Sequence, residues 1–395
     1  MLIGAGPIQA IGIHKAHDLG LRVVAVDGNN SAPGLALADD GIVVDIRDPK
    51  KIVSLARAFD VCGVLSIAVD AAIESVAAVG HSLGLRTLTP KAAMNATSKH
   101  RMRKCWAKAN VSSPLAFSCR SFDETRDALE HVGLPAVVKP SDSAGSRGVS
   151  KVNSANELER AFSEACKFSR EGIVIIETYL EGVELSVEGV AHDGQFKVLC
   201  LSDKMRTPPP HLLDTAVLFP STQPDAVQRK AMKLVAGAVS ALELDWAPIH
   251  AEVMVSAEGN VSMVELAARG PGFKVFTEMI PWVCGVDVVE QQIRMAAGLE
   301  YDWFPTKRRG AVLEFPPATP GYVTKVDGMD ECQAIPGIHD LEIYVKTGKR
   351  VYPLDSGARR VGHIIAMTET RSAAEAAVER ALRTLQIKTD SSIED

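Results

Sequence analysis

Short apolar runs recur from the start of the chain, and between them the apolar positions space out as on helix faces. Leu2-Ile3 leads into Gly4-Ala5-Gly6-Pro7 and a helix to residue 19, and residues 22–26 read as the next strand. Residues 43–45, 63–67 and 86–87 read as further short strands. Such alternation of strand and helix builds βαβ units and a parallel sheet. Residues 91–110 read as helical, with Thr97 or Ser98 as an N-cap. From 111 to 180 the pattern is that of a small mixed α/β unit, with strands at 117–118, 136–139 and 173–177 and helices at 123–131 and 158–168. Residues 183–300 begin strand-rich, then carry an amphipathic helix at 228–242, a hairpin, and a helix at 286–297. Pro316, Pro317 and Pro320 punctuate the strands of the last segment, which ends in a helix at 372–385 and a polar, frayed tail from 388 to 395.

Two of the junctions carry chemistry. In Val137-Val138-Lys139-Pro140-Ser141-Asp142-Ser143-Ala144-Gly145-Ser146-Arg147-Gly148-Val149 an apolar strand delivers a lysine directly into a small, Gly/Ser-rich loop. Ser143, Gly145, Ser146 and Gly148 offer backbone N–H groups and hydroxyls to an anion, and Lys139 adds a point charge. No Gly-Lys-Ser/Thr opens a helix here, so this is not a P-loop, and an ordinary surface hairpin loop has the same composition. Gly4-x-Gly6 with Asp27 at the end of the next strand invites a dinucleotide reading, but Gln9 stands where the third glycine belongs.

Residues 250–255 and 261–266 are apolar strands around Ser256-Ala257-Glu258-Gly259-Asn260. A tight hairpin centred on Glu258-Gly259 sets Glu252 directly opposite Glu265. Opposed like charges destabilise a sheet unless compensated. A divalent cation with oxygen ligands removes the conflict, and magnesium commonly takes one or two carboxylates and leaves room for phosphate oxygens. One glutamate facing solvent, or paired with Arg269, would also remove it. Arg269, between the second strand and Gly270-Pro271-Gly272, is suited to stabilise charge on a transferred phosphoryl group. Upstream, the strand at 173–177 runs into a linker, Glu177-Thr178-Tyr179-Leu180, whose backbone groups match a purine edge. Glu184 follows, with Ser186 and Glu188 at the same parity, as a carboxylate for ribose hydroxyls; a solvated strand face has the same pattern.

Length and composition narrow the classes. A chain of 395 residues exceeds one small core, and a formal charge of −6 leaves no nucleic-acid footprint. No apolar run reaches the length of a membrane span, and the start has no signal-peptide layout. Seven scattered cysteines without metal spacing fit a reduced, cytoplasmic protein.

Taken in order, these pieces resemble the ATP-grasp superfamily, and more closely carboxylate–amine ligases related to biotin carboxylase, carbamoyl-phosphate synthase and the L-amino-acid ligases. The resemblance covers nearly the whole chain and implies a multidomain α/β and α+β fold. Residues 1–90 would be a Rossmann-like preATP-grasp domain. Residues 91–300 would be the ATP-grasp domain, with subdomains about 91–180 and 181–300. Residues 301–395 would be a small C-terminal α+β domain, including Arg359-Arg360-Val361-Gly362-His363-Ile364-Ile365. The resemblance makes Lys99 and Lys139 phosphate lysines, Glu177 to Leu180 the adenine linker, Glu184 the ribose acid, Glu252 and Glu265 magnesium ligands and Arg269 the arginine that follows them. Relatives often read Glu-x-Asn-x-Arg at the second metal site; Ala267 stands at the asparagine position here.

The implied activity is ATP- and Mg²⁺-dependent ligation. A small carboxylate, by default an amino acid, becomes an acyl phosphate and couples to an amine with release of ADP and phosphate. The implied cofactors are ATP with one or two Mg²⁺ ions, for which Mn²⁺ can substitute; a homodimer is usual among relatives. Residues 141–148 would close as a lid over the acyl phosphate. Residues 204–221, with Pro208-Pro209-Pro210 and His211, read either as a second flap or as a plain surface loop. Three rivals stay open: a bicarbonate-phosphorylating carboxylase, a catalytically silent ATP-binding regulatory subunit for which Ala267 speaks, and a nicotinamide oxidoreductase using residues 4–27.

Overall fold

The computed structural model describes residues 1–143, 145–209 and 211–391. Two compact units divide it. The first comprises residues 1–113, 186–200 and 224–307; the second comprises 114–185, 201–223 and 308–395. The strands Val183–His192 and Gln195–Arg206 each run across that division.

The first unit opens with a parallel sheet of Leu2–Ile3, Val24–Asp27 and Asp40–Val43. Pro7, Pro33, Pro49 and Pro90 each begin a helix, where the missing N–H costs nothing and the fixed φ suits the first turn. Asp48 and Thr89 cap two of these helices by accepting from Lys51 N and Ala92 N. Residues 63–67 contribute only a bridge from Leu65 to Leu2, and 86–87 form a bend rather than a strand. The strand at 43–45 ends at Val43. Ser98 separates the helices Pro90–Thr97 and Lys99–Lys108.

The hairpin Ala247–Val255 / Val261–Ala267 turns through Ser256 N bonded to Asn260 O, with Gly259 at φ +73°. Near the turn Val255 pairs Val261 and Val253 pairs Met263. A bulge at Val264 then shifts the ladder by one residue, so that Glu252 meets Glu265. Arg103, on the helix Lys99–Lys108, donates to the Val264 carbonyl at 2.7 Å. The anticipated pairing of the glutamates thus exists because of the bulge. The uniform register set by the turn would have put Val264 opposite Glu252.

In the second unit an antiparallel sheet runs Ala116–Cys119, Val174–Thr178, Ala136–Pro140, Ser150–Val152. The helices Phe122–Val132 and Leu158–Phe168 pack on it through Ala128, Val132, Leu158, Ala161 and Ala165. A further antiparallel run joins Gln195–Arg206, Asp214–Phe219, Gly310–Glu314, Gly362–Thr368 and Ile338–Ile343. The helix Arg371–Thr384 covers one of its faces with small residues, Ala374, Ala377 and Ala381, against Ala216, Leu218, Val312, Ile364 and Ala366.

Two expectations change here. Residues 204–221 are mostly a hairpin built into the sheet, with Leu213, Ala216, Val217, Leu218 and Phe219 buried, rather than a flap or a plain loop. Only 207–213 connect, closed by Thr207 N on Leu213 O; Pro210 lies outside the described residues. The tail does not fray from 388, because Gln386–Asp390 pairs with Gly321–Asp327. Residues 392–395 lie outside the described residues.

Candidate functional site

In the first unit the hairpin presents Glu252 and Glu265 side by side on one face, both partly exposed. Lys99, at the first turn of its helix and itself buried, reaches Glu265 Oε1 at 2.8 Å. Arg269 turns away from Glu265. Its NH2 donates to Asp70 Oδ2 at 2.6 Å and its NH1 to Gly270 O at 2.8 Å, while its buried Nε has no partner. Burial works against the charge, but Asp70, with Glu265 and Glu252 behind it, outweighs burial and raises the guanidinium pKa. Gly270 is obligatory, since a Cβ there would meet the Phe276 ring at 2.1 Å.

Ala267 pairs with His250 across the hairpin. The His250 Nδ1 lies 2.8 Å from Glu188 Oε1 and its Nε2 3.7 Å from Glu252 Oε1. Glu188 is fully buried, and its Oε2 has no hydrogen-bond partner. Glu188 therefore faces a histidine, while Glu184 does separate work. Four carboxylates, Asp70, Glu188, Glu252 and Glu265, stand here with three permanent cations, Lys99, Arg103 and Arg269. The remaining negative charge and the orphaned carboxylate oxygen fit a divalent cation. Among the described residues no group of three or more His, Cys, Asp or Glu surrounds one point. A magnesium ion held by Glu252 and Glu265, with its other positions left to water and phosphate, meets that limit.

In the second unit Lys139 and Glu177 sit on adjacent strands, both buried, with Nζ and Oε1 2.5 Å apart. Lys139 and Glu177 thus neutralise each other. After Lys139 the loop takes left-handed backbone at Gly145, Ser146 and Gly148, while Ser143 is half-buried. Asp142 anchors the loop base by accepting from Ser169 Oγ and from Arg170 N and Nε. Ala144 lies outside the described residues. In the linker, Thr178 N donates to Leu115 O and Tyr179 N to Pro135 O. Those two N–H groups serve the fold, so Leu180 and Glu181 carry the linker's remaining donors. Lys151 Nζ lies 3.8 Å from the centroid of the Tyr179 ring.

Both oxygens of the buried Glu184 are engaged, Oε1 by Lys204 Nζ at 3.0 Å and Oε2 by Arg206 NH1 at 2.7 Å. Lys204 also reaches Asp214 Oδ2 at 3.2 Å. Lys204, Arg206, Asp214, Asp70 and His250 were not singled out by the sequence as site residues. The signal available was parity: Lys204 and Arg206 alternate with Met205 in a strand, and the charged pair faces inward.

A family model for the ATP-grasp domain matches residues 132–278, and one for the L-amino acid ligase C-terminal domain 2 matches 314–390. Similar proteins include the uncharacterized protein y4rH of Sinorhizobium fredii, 26% identical over 84% of this chain and 69% of its own length. The alanine–anticapsin ligase of Bacillus subtilis is 27% identical over 53% of this chain, which spans about half, 48%, of that relative's length. The crystal structure of an L-amino acid ligase from Bacillus licheniformis superposes with a TM-score of 0.84 over 99% of this chain and 98% of its own, at 20% identity. At that identity the likeness speaks for the fold. Among the described residues no helix is long and apolar enough to cross a membrane.

Proposed function

From a chain that carries an ATP-grasp domain and an L-amino acid ligase C-terminal domain 2, we infer a carbon–nitrogen ligase that forms ADP. It activates a small carboxylate, by default an amino acid, and couples it to an amine. The observation that carries this reading is the Glu252–Glu265 pair, bulged into register and left with surplus negative charge beside Lys99 and Arg269.

Glu252 and Glu265 would hold one or two Mg²⁺ ions, which supply positive charge to the triphosphate. The substrate carboxylate attacks the γ-phosphorus and ADP leaves. The amine then attacks the acyl carbon and phosphate leaves. No side chain need act as nucleophile, so the protein's part is to position and to neutralise. Lys139 and Lys99 exchange their present glutamates for phosphate oxygens. Arg269 balances charge on the transferred phosphoryl group. Glu184 exchanges part of its contacts with Lys204 and Arg206 for ribose hydroxyls, and Ser143, Gly145, Ser146 and Gly148 close over the phosphates. Glu177 to Leu180 line the adenine. A cytoplasmic homodimer acting on small molecules accords with this chemistry.

Hydroxylamine trapping tests it. With Mg·ATP and pools of carboxylates, hydroxamate and ADP are expected together in one pool, and neither with Glu265→Gln. ATP binding without ADP or hydroxamate in any pool would sink the reading in favour of a silent ATP-binding subunit.

A further inference from the structure

The turn Gly4-Ala5-Gly6 and the glutamine that follows it play no part in the roles above. Gly4 takes φ +94°, in the range that favours glycine, and Ala5 N donates to Asp27 Oδ2 at 2.7 Å. The place of a third glycine is filled by Gln9, which is buried and spends its amide on the Ile67 carbonyl at 2.7 Å. A Cβ on Gly6 would come within 2.8 Å of Gln9 Oε1. A second buried amide, that of Gln292, donates to Ser66 O at 3.0 Å, and Ser66 Oγ donates to Ile3 O at 2.7 Å. Side chains thus pin residues 66 and 67. Ala68 then takes φ +55°, a conformation that a residue with a Cβ keeps only where its surroundings impose it. Two residues further on stands Asp70.

Asp70 opens a single 3₁₀ turn, Asp70–Ala72, and its Oδ2 accepts from Arg269 NH2 at 2.6 Å. Arg269 NH1 goes to Gly270 O, so two of the three guanidinium nitrogens are held, and the third, Nε, is buried without a partner. Against burial, which disfavours the charge, Asp70 pulls on this guanidinium most, and Glu265 and Glu252 follow. Arg269 is therefore a cation with two further carboxylates within its field. Lys99 already engages Glu265 Oε1, so a second cation on Glu265 would take its other oxygen.

We propose that Asp70 is a positioning residue that keeps Arg269 off Glu265, and that the glycine turn with Gln9 serves to place it. Held to Asp70, the guanidinium leaves both glutamates to a cation and keeps one donor, Nε, for an anion. Released, it would pair with Glu265, cancel part of the charge that draws the cation, and occupy the oxygen the cation needs. This role rests on the ligase reading above for what the site does. It gives that site a residue from a segment 199 residues upstream. Asp70 makes and breaks no bond and moves no proton; it acts through Arg269.

Metal binding without turnover tests it. Mn²⁺ is titrated into the nucleotide-free protein and followed by its EPR signal, in about 0.3 M KCl, where charges acting through solvent are screened. In Asp70→Asn the Kd for Mn²⁺ should rise about tenfold, and Asp70→Glu, which keeps the ion pair, should return it to near wild type. In the double variant Asp70→Asn/Arg269→Gln no guanidinium is left to fall on Glu265, and the affinity should recover as well. A merely structural defect would not be relieved by a second substitution. Gln9→Leu should weaken Mn²⁺ binding in the same direction and by less, which keeps a readout if Asp70→Asn fails to fold.

Turnover supplies the second readout. With Mg·ATP and the carboxylate pools, Asp70→Asn should lower kcat for ADP release about a hundredfold, because Arg269 is misplaced, and leave KM for ATP within about twofold. An Asp70→Asn variant that binds Mn²⁺ as tightly as wild type overturns the proposal. So does a double variant that binds no better than Asp70→Asn, and so does a wild-type chain that binds no Mn²⁺. Wild type giving neither ADP nor hydroxamate, with the metal titrations as expected, would remove the ligase reading and leave the positioning role standing.

Discussion

The two charged clusters are built on opposite principles. In the first unit, Asp70, Glu188, Glu252 and Glu265 outnumber Lys99, Arg103 and Arg269, and the paired glutamates remain partly open to solvent. In the second, Lys139 matches Glu177 one to one, and Lys204 with Arg206 matches Glu184 with Asp214; Lys139, Glu177, Lys204 and Glu184 are almost completely buried, Arg206 and Asp214 less so. A cluster with surplus charge is completed by something it does not contain. A balanced, buried cluster is stable by itself and binds a ligand only by exchanging partners. On the ligase reading proposed above, the first would set the demand for a cation and the second how tightly a polyanion is held.

Breaking the surplus should have the largest effect. Glu265→Gln removes one of two facing carboxylates, and ADP formation should fall about a thousandfold. The urea midpoint should barely move, because relief of the repulsion with Glu252 offsets the weaker contact with Lys99. A variant that keeps a tenth of its ADP-forming rate would show that the pair is not where phosphoryl charge is met.

Breaking the balance should show in stability instead. Glu177→Gln leaves the Lys139 ammonium buried without its counter-charge, and unfolding in urea should reveal a loss of about 3 kcal/mol. Replacing both residues by methionine should restore most of that while abolishing ATP binding. If the double variant is as unstable as the single one, the pair is held by packing and not by charge.

How far the sequence disclosed these clusters follows from the range of the contacts involved. Lys139, Glu252 and Glu265 were legible because strand parity and a short turn are local. Even there the outcome depended on the bulge at Val264, whose carbonyl is held by Arg103 from 161 residues away. Nothing local announces that contact. The partner of Arg269 was missed for the same reason, since Asp70 comes from a segment 199 residues upstream. Residues 204–221 misled because their prolines suggest a loop, whereas the apolar run from Ala216 to Phe219 pairs with residues near 311–314. Residues 86–87 have strand composition but form a bend.

Glu314 sharpens the contrast further, as an acid of the second unit that no cation offsets. Burial alone lifts its pKa from 4.5 to about 7. The folded protein then holds a proton that the unfolded chain releases between about pH 4.5 and 7. The stabilisation is complete below that window and is lost as pH rises through it. Glu314→Gln should therefore match wild type at pH 4.5 and exceed it by about 2 kcal/mol at pH 8, a figure reduced for the group's partial exposure. Equal stability of the two proteins at both pH values would mean that the carboxylate finds a counter-charge in solution.

Ala267 tests the surplus cluster most gently. It shares a face with Glu265 and stands opposite His250. An asparagine there adds a neutral oxygen beside the carboxylates without altering their charge. If the excess of negative charge is what draws the cation, one more oxygen should improve its hold but not the chemistry. In Ala267→Asn the Mg²⁺ concentration for half-maximal ADP release should fall up to about tenfold, with the maximal rate unchanged. The competing claim on that space is His250, which Glu188 already orients from the other side. A variant that needs more magnesium than wild type would mean that the imidazole, not a missing ligand, explains the alanine.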